Sequence, residues 1–170
     1  MVGEKIILRA LEPEDLNFLY LIENNLDNWE ISETKIPFSK YLLHEYLKTI
    51  GDDITKSGQL RLVIQSKTSK EQVGLIDLFD FDAINRKCGI GIIINPESRN
   101  NRIATETLSL IAKYCKNTLN LHQLYCDIQS NNSTSISLFE KNGFVKTGVK
   151  KEWSLKANIY SDIFFYQKIL

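Results

Sequence analysis

The chain has 170 residues, 43% of them hydrophobic and 25% charged, with three prolines and eight glycines. That length suits one domain, 1–170, with a core of its own, and that composition leaves no long stretch to disorder. Its 21 basic and 21 acidic side chains cancel, which argues against a nucleic-acid binder, because such proteins need a basic surface to displace counterions from phosphate.

Residues 5–11 read as a β-strand, rich in β-branched and aliphatic side chains. The segment around them carries Glu4, Lys5 and Arg9 and lacks the apolar centre of a signal peptide, so the cytoplasm is the default location. Pro13 is expected to open a helix, with Glu14 and Asp15 at its positive end and Leu16, Leu19 and Tyr20 at helical spacing. Residues 24–38 read as irregular and polar. Ser39 is the expected N-cap of a second helix running to about Ile50. Strands follow at 60–66, 72–79 and 87–95 as an antiparallel meander. In the third, Cys88, Ile90, Ile92 and Ile94 share one face, and Gly89, Gly91 and Ile93 share the other. The apolar run Ile90–Ile94 is far too short to span a bilayer.

Pro96 ends that strand, and a polar turn leads to a long helix with Leu108, Ile111, Ala112, Cys115 and Leu119 in one stripe. A short strand at 124–128 comes next. Asn131, Asn132 and Ser133 can cap a shorter helix that stops at Gly143. Two more strand-like runs, about 144–153 and 159–169, complete the chain. The whole reads as an α/β (α+β) mixed sheet with helices packed on it. Cys88, Cys115 and Cys126 form no CxxC pair, and neither they nor His44 and His122 have metal-ligand spacing, so no metal is expected.

The informative segment runs from Gly89 to Thr105, where a strand meets a helix through a turn flanked by Arg99 and Arg102. A helix N-terminus offers unpaired N–H groups and a favourable dipole to an anion, and the two arginines add charge suited to pyrophosphate. Taken alone, the segment equally fits an ordinary strand-to-helix turn with solvated arginines.

The order of residues here resembles a known family. Asn95-Pro-Glu-x-Arg99, followed by Ile103-Ala-Thr-Glu106, resembles the coenzyme motif of GNAT acetyltransferases, Arg/Gln-x-x-Gly-x-Gly/Ala, with Arg99 in its first place and Ala104 in its last. Downstream, Asn132, Lys141, Gly143 and Phe144 match the family's second motif, Asn-x-x-Ala-x-x-x-Tyr-x-Lys-x-Gly-Phe. Gly74-Leu-Ile-Asp-Leu78 and Asn85-Arg-Lys87 look like the branch of spermidine and ribosomal-protein N-acetyltransferases. The resemblance implies the acyl-CoA N-acyltransferase fold, a mixed central sheet of about seven strands with helices on both faces. It implies acetyl-CoA as donor and an amine as acceptor, a polyamine or a protein amino group. It implies that Ile92, Ile93 and Ile94 pair with the pantetheine arm, and that Arg99, Asn100, Asn101, Arg102, Ile103, Ala104 and Thr105 hold the pyrophosphate. Asn132, Ser135, Phe139 and Lys141 would flank the coenzyme, in a V-shaped opening between 90–95 and 124–128. Relatives often associate through sheet edges, which leaves a homo-oligomer open; no nucleic acid or membrane is implied as partner.

The departures are specific. Asn100 and Arg102 fill the glycine places of the phosphate turn. Phe139 stands where the family commonly has the tyrosine that protonates the departing thiolate, and phenylalanine has no proton to give. Gly89 stands where spermidine-type relatives carry a glutamate. Asp77, Tyr125 and Glu33 are the catalytic candidates that remain, with Asp127 beside Tyr125 on one strand face and Glu30 beside Glu33 in the loop that borders the acceptor site in the family. Each also fits an ordinary surface position. Beside the active enzyme stand two alternatives: a GNAT-fold acyl-CoA-binding protein with weak or no catalysis, and an interaction domain without coenzyme.

Overall fold

A computed structural model describes residues 1–32, 34–49, 53–99 and 101–170. The strands in chain order are β1 (Ile6–Ala10), β2 (Leu60–Ser66), β3 (Gln72–Asp82), β4 (Lys87–Ile94), β5 (Gln123–Gln129), β6 (Val145–Lys156) and β7 (Ile159–Ile169). They form one sheet of seven, in the order β1-β2-β3-β4-β5-β7-β6. All neighbours are antiparallel except β4 and β5, which run parallel. The helices are α1 (Leu16–Glu23), α2 (Leu26–Ser32), α3 (Lys40–Thr49), α4 (Ile54–Ser57), α5 (Ile103–Asn117) and α6 (Ser133–Lys141).

Alternation along the strands sorts the core into two layers. Ile6 and Leu8 of β1, Leu62 and Ile64 of β2, Cys88 and Ile90 of β4, and Leu124 and Cys126 of β5 pack with Leu108, Ile111 and Cys115 of α5 and Phe139 of α6. Val63 and Leu75 point the other way and pack with Leu19 and Ile22 of α1 and Leu43 of α3. Helices therefore cover both faces, as the resemblance implied. The two faces expected of β4 are observed, with Ile92 and Ile94 against the first cluster and Ile93 against the second.

Local signals explain most boundaries. Pro13 opens a 3-10 turn that runs into α1. The Ser39 hydroxyl accepts from the Leu42 N–H at 3.1 Å and so caps α3. Asn132 caps α6 by accepting from the Ser135 N–H at 3.0 Å, and Gly143 follows that helix at φ 82°.

One expectation fails. Residues 24–38 are not wholly irregular, because α2 lies within them. Polar contacts hold it in place: Trp29 Nε1 donates to the Glu23 carbonyl at 2.7 Å, and Asn28 Nδ2 to the Ile22 carbonyl at 3.0 Å. Both satisfy carbonyls at the C-terminus of α1, which a helix leaves without partners. Among the described residues no helix is long and apolar enough to cross a membrane.

Candidate active site

The sheet comes apart where β4 meets β5. Only Lys87↔Gln123, Cys88↔Leu124 and Gly89↔Tyr125 pair across that joint. Past Gly89, β4 runs on to Ile94 bound to β3 alone, while β5 runs on to Gln129 bound to β7. The expected V-shaped opening is therefore present. Among the described residues, one edge of β4 from Ile90 onward has no strand partner, and an unpaired strand edge can pair with an added chain.

A cavity of about 130 Å³ occupies the opening. Its walls are Ile90, Gly91 and Ile92 of β4, Cys126 to Gln129 of β5, Asn132, Ser135 and Phe139 around α6, and Trp153, Ser154 and Ile163 of the β6–β7 hairpin. At roughly 30 Å³ per water in the liquid, it holds about four. That is room for an acetyl thioester and an attacking nitrogen, with the bulk of a coenzyme outside. Cys126 is not the nucleophile, since burial pushes its thiol up to about 12 and a thiol is inert until ionised.

At the far end of β4, α5 begins after a turn built as the sequence suggested. Ile103, Ala104 and Thr105 form its first turn, so their N–H groups have no intrahelical acceptor. Arg102 adopts the left-handed region at φ 62°, the conformation for which the family's glycine is suited. Arg99 Nε donates to the Ile94 carbonyl at 3.1 Å and ties the turn to the strand end. Asn100 lies outside the described residues. Lys5 is a cation that sequence reasoning passed over: its Nζ donates to the Asn101 carbonyl at 3.3 Å. The two lie 96 residues apart, so no local motif could have found it. The turn thus gathers three cations and a helix N-terminus, an arrangement that fits a pyrophosphate.

The coenzyme-flanking candidates divide. Ile92, Asn132, Ser135 and Phe139 line the cavity. Ile93 faces α1 and α3, and Lys141 is exposed at the end of α6, away from the cavity wall. Phe139 is 4% exposed and packs edge-to-face on Phe144, with ring centroids 4.9 Å apart, while also forming part of the cavity wall.

The catalytic candidates sit at different depths. Tyr125 lies at the apex of the V, opposite Gly89, and its hydroxyl donates to Asp80 Oδ2 at 3.2 Å. Burial, with the Asp80 charge behind it, pushes that phenol up to about 12, so it stays protonated at neutral pH. Asp77 lies opposite Gly91, a cavity residue, but its carboxylate is gripped by Arg61 at 2.5 Å from Nε and 3.2 Å from Nη2. Arg61 also donates to Glu23. Burial works against the Arg61 charge, yet Asp77 outweighs it and holds the guanidinium above its ordinary pKa. Asp77 is thus committed to an ion pair with Arg61. Glu33 lies outside the described residues, and of Glu30 only its place in α2 is described.

Gly89 has a packing reason. A Cβ there would run into the ring of Phe79, which itself stands edge-on to Tyr125. The space a glutamate would need is filled by that ring. Among the cavity residues outside the named catalytic and coenzyme candidates are Asp127, Gln129, Trp153 and Ser154. Strand alternation placed Asp127 on the right face; the hairpin residues gave no signal, because β6 slips register between Lys150 and Ser154.

Comparison with known proteins agrees with this geometry. A family model described as acetyltransferase (GNAT) domain matches residues 5–145. Spermidine N(1)-acetyltransferase of Vibrio cholerae serotype O1 is 29% identical over 164 residues, 95% of this chain and 91% of that protein. The crystal structure of spermidine N-acetyltransferase from Vibrio cholerae in complex with CoA and spermine superposes with a TM-score of 0.87 at 26% identity, covering 98% of this chain and 96% of the other. A dodecameric structure of the Vibrio cholerae enzyme in an intermediate state gives a TM-score of 0.81 at 28% identity, covering 98% and 95%. A match of this extent, on a sheet that opens between β4 and β5, establishes the family: the chain belongs to the GNAT acetyltransferases and is an N-acetyltransferase that carries acetyl groups from acetyl-CoA to an amine.

Proposed function

We propose that the acceptor is a polyamine such as spermidine, and that acetyl transfer takes place in the cavity between β4 and β5. The observation that carries the reading is this cavity, which meets an unpaired strand edge on one side and lies along β4 from the cationic turn. The pantetheine arm lies along Ile92 to Ile94, and the pyrophosphate over Arg99 to Thr105. Asn132, Ser135 and Phe139 flank the thioester, and Lys141 stands further out. The acceptor nitrogen, neutral when it attacks, bonds to the acetyl carbon as the carbon–sulfur bond breaks. The thiolate departs and takes up a proton, and the new amide loses one. Holding both reactants in one small cavity supplies proximity, and a backbone N–H on the free edge of β4 can receive the charge that develops on the carbonyl oxygen. Tyr125 is the proton donor nearest the apex, and Asp77 shapes the acceptor side through Arg61. Glu33 keeps its place as a candidate for the acceptor border.

The polyamine reading is supported by the spermidine acetyltransferases to which the chain is similar, and by the Asp127 carboxylate in the cavity wall. Self-association belongs to the same reading: the dodecamer of the Vibrio relative supports it, and Leu155, Ile159 and Tyr160 are exposed on the β6–β7 hairpin. The second reading, coenzyme binding with little turnover, is favoured by Phe139 in the tyrosine place.

Thiol release from acetyl-CoA tests these readings, with spermidine, spermine and a peptide bearing a free N-terminus as acceptors. Spermidine or spermine is expected to give the highest kcat/KM. A faster peptide would overturn the polyamine acceptor, and coenzyme binding without thiol release would favour the second reading.

A further inference from the structure

At the outer edge of the cavity the protein places a cation of its own. Lys150 belongs to β6, and β7 lies between it and β5. Strands in a sheet lie about 4.8 Å apart, so the Lys150 backbone is about 10 Å from β5. The side chain spans that gap: its Nζ donates to Asp127 Oδ2 at 2.6 Å. On the way it passes the Phe165 ring, with Nζ 5.8 Å from the centroid, and the Trp153 ring, at 5.3 Å. Gly148, paired with Phe165, presents no side chain in its path. Asp127 and Trp153 both line the cavity.

A carboxylate with two aromatic rings around one ammonium is a cation site. Here it opens onto the cavity in which an amine is to react, and its occupant is half-exposed. Half-exposed ion pairs contribute little net stability, because the charges keep much of their hydration. An arriving ammonium can therefore replace this one at small cost. A polyamine carries more than one ammonium, and only the reacting nitrogen must be neutral.

We propose that Asp127, Trp153 and Phe165 form a subsite for the non-reacting ammonium of the acceptor, and that Lys150 is its built-in competitor, displaced when the acceptor binds. Lys150 then sets a threshold of acceptor affinity and disfavours amines with no second cation to exchange for it. This inference rests on the polyamine reading.

Equilibrium binding separates the two claims. Calorimetric titration of the full chain with spermidine, without acetyl-CoA, is expected to give about fivefold tighter binding for Lys150→Met than for wild type, the size that removal of one weak ion pair and its ring contacts allows. Asp127→Asn is expected to bind about tenfold more weakly, on the scale of a lost charge-assisted contact. Lys150→Gln provides the same readout should the methionine variant fail to fold. Equal or weaker spermidine binding by the Lys150 variants, or no binding by any form, overturns the subsite. Thiol release is measured separately: a subsite that responds to Lys150 in a protein that releases no thiol would sink the functional reading alone.

Discussion

At the residue scale the site turns on Phe139. The family commonly has a tyrosine at its place, and the resemblance sets the ring beside the coenzyme. In the structure the ring stands edge-to-face with Phe144, and the residue also lines the cavity with Asn132, Ser135 and Cys126. A para-hydroxyl that reaches the cavity has Asn132 and Ser135 in the same wall. Phe139→Tyr is expected to raise turnover about tenfold, below the roughly 10²–10⁴-fold that a positioned general acid typically contributes, with little change in melting temperature. Unchanged turnover together with a loss of roughly 1–3 kcal/mol would mean that the hydroxyl is buried without a partner. That Tyr125 and Asp127 share a strand face was legible at this scale because strand alternation fixes which way a side chain points, and of the two Asp127 lines the cavity. Lys5 and Lys150 were not, because each acts at a place that only the three-dimensional chain path brings near.

At the element scale, the elements read correctly are those with strong periodicity or capping. The stripe of α5 and the alternation of β4 follow from 3.6 and 2.0 residues per repeat, and both were read from the sequence. Missing α2 has the opposite cause: its docking depends on Trp29 and Asn28 bonding to the backbone of α1, which leaves no apolar rhythm to read. Register in the meander also has a steric element. Gly74 faces Ile94 across β3 and β4, and a Cβ at 74 would overlap the Ile93 carbonyl oxygen. A backbone atom cannot swing aside as a side chain can. Gly74→Ala is thus expected to destabilise the fold by about 1–3 kcal/mol, as overpacking of a tight core does, and to distort β4 where the coenzyme arm is proposed to lie. Denaturant melts and coenzyme titration of the same variant check both effects. A variant as stable as wild type would mean that the strands separate at this point with no penalty.

At the scale of the whole molecule the sheet is two sheets sharing a short seam. β1 to β4 form one part, β5, β7 and β6 the other, and three residue pairs join them. Helix packing closes one face of the seam, since α5 and α6 share a cluster with both parts. A coenzyme arm lying, as proposed, along the free edge of β4 would complete hydrogen bonding that the protein leaves open, and ligand and fold would then be linked: what binds only the native state stabilises it. Acetyl-CoA at a hundred times its Kd is expected to add about 2.7 kcal/mol, which for a domain of this size raises Tm by about 5–10 °C. The same argument says where the protection falls. Hydrogen exchange at the amides of Ile90 to Ile94 is expected to slow with acetyl-CoA but not with pyrophosphate alone, because pyrophosphate can fill the turn at Arg99 to Thr105 without touching the strand edge. A Tm shift indistinguishable from zero at millimolar acetyl-CoA would remove the coenzyme from this protein. A shift with no protection at Ile90 to Ile94 would leave it bound at the turn and show that β4 is not the strand along which the arm lies.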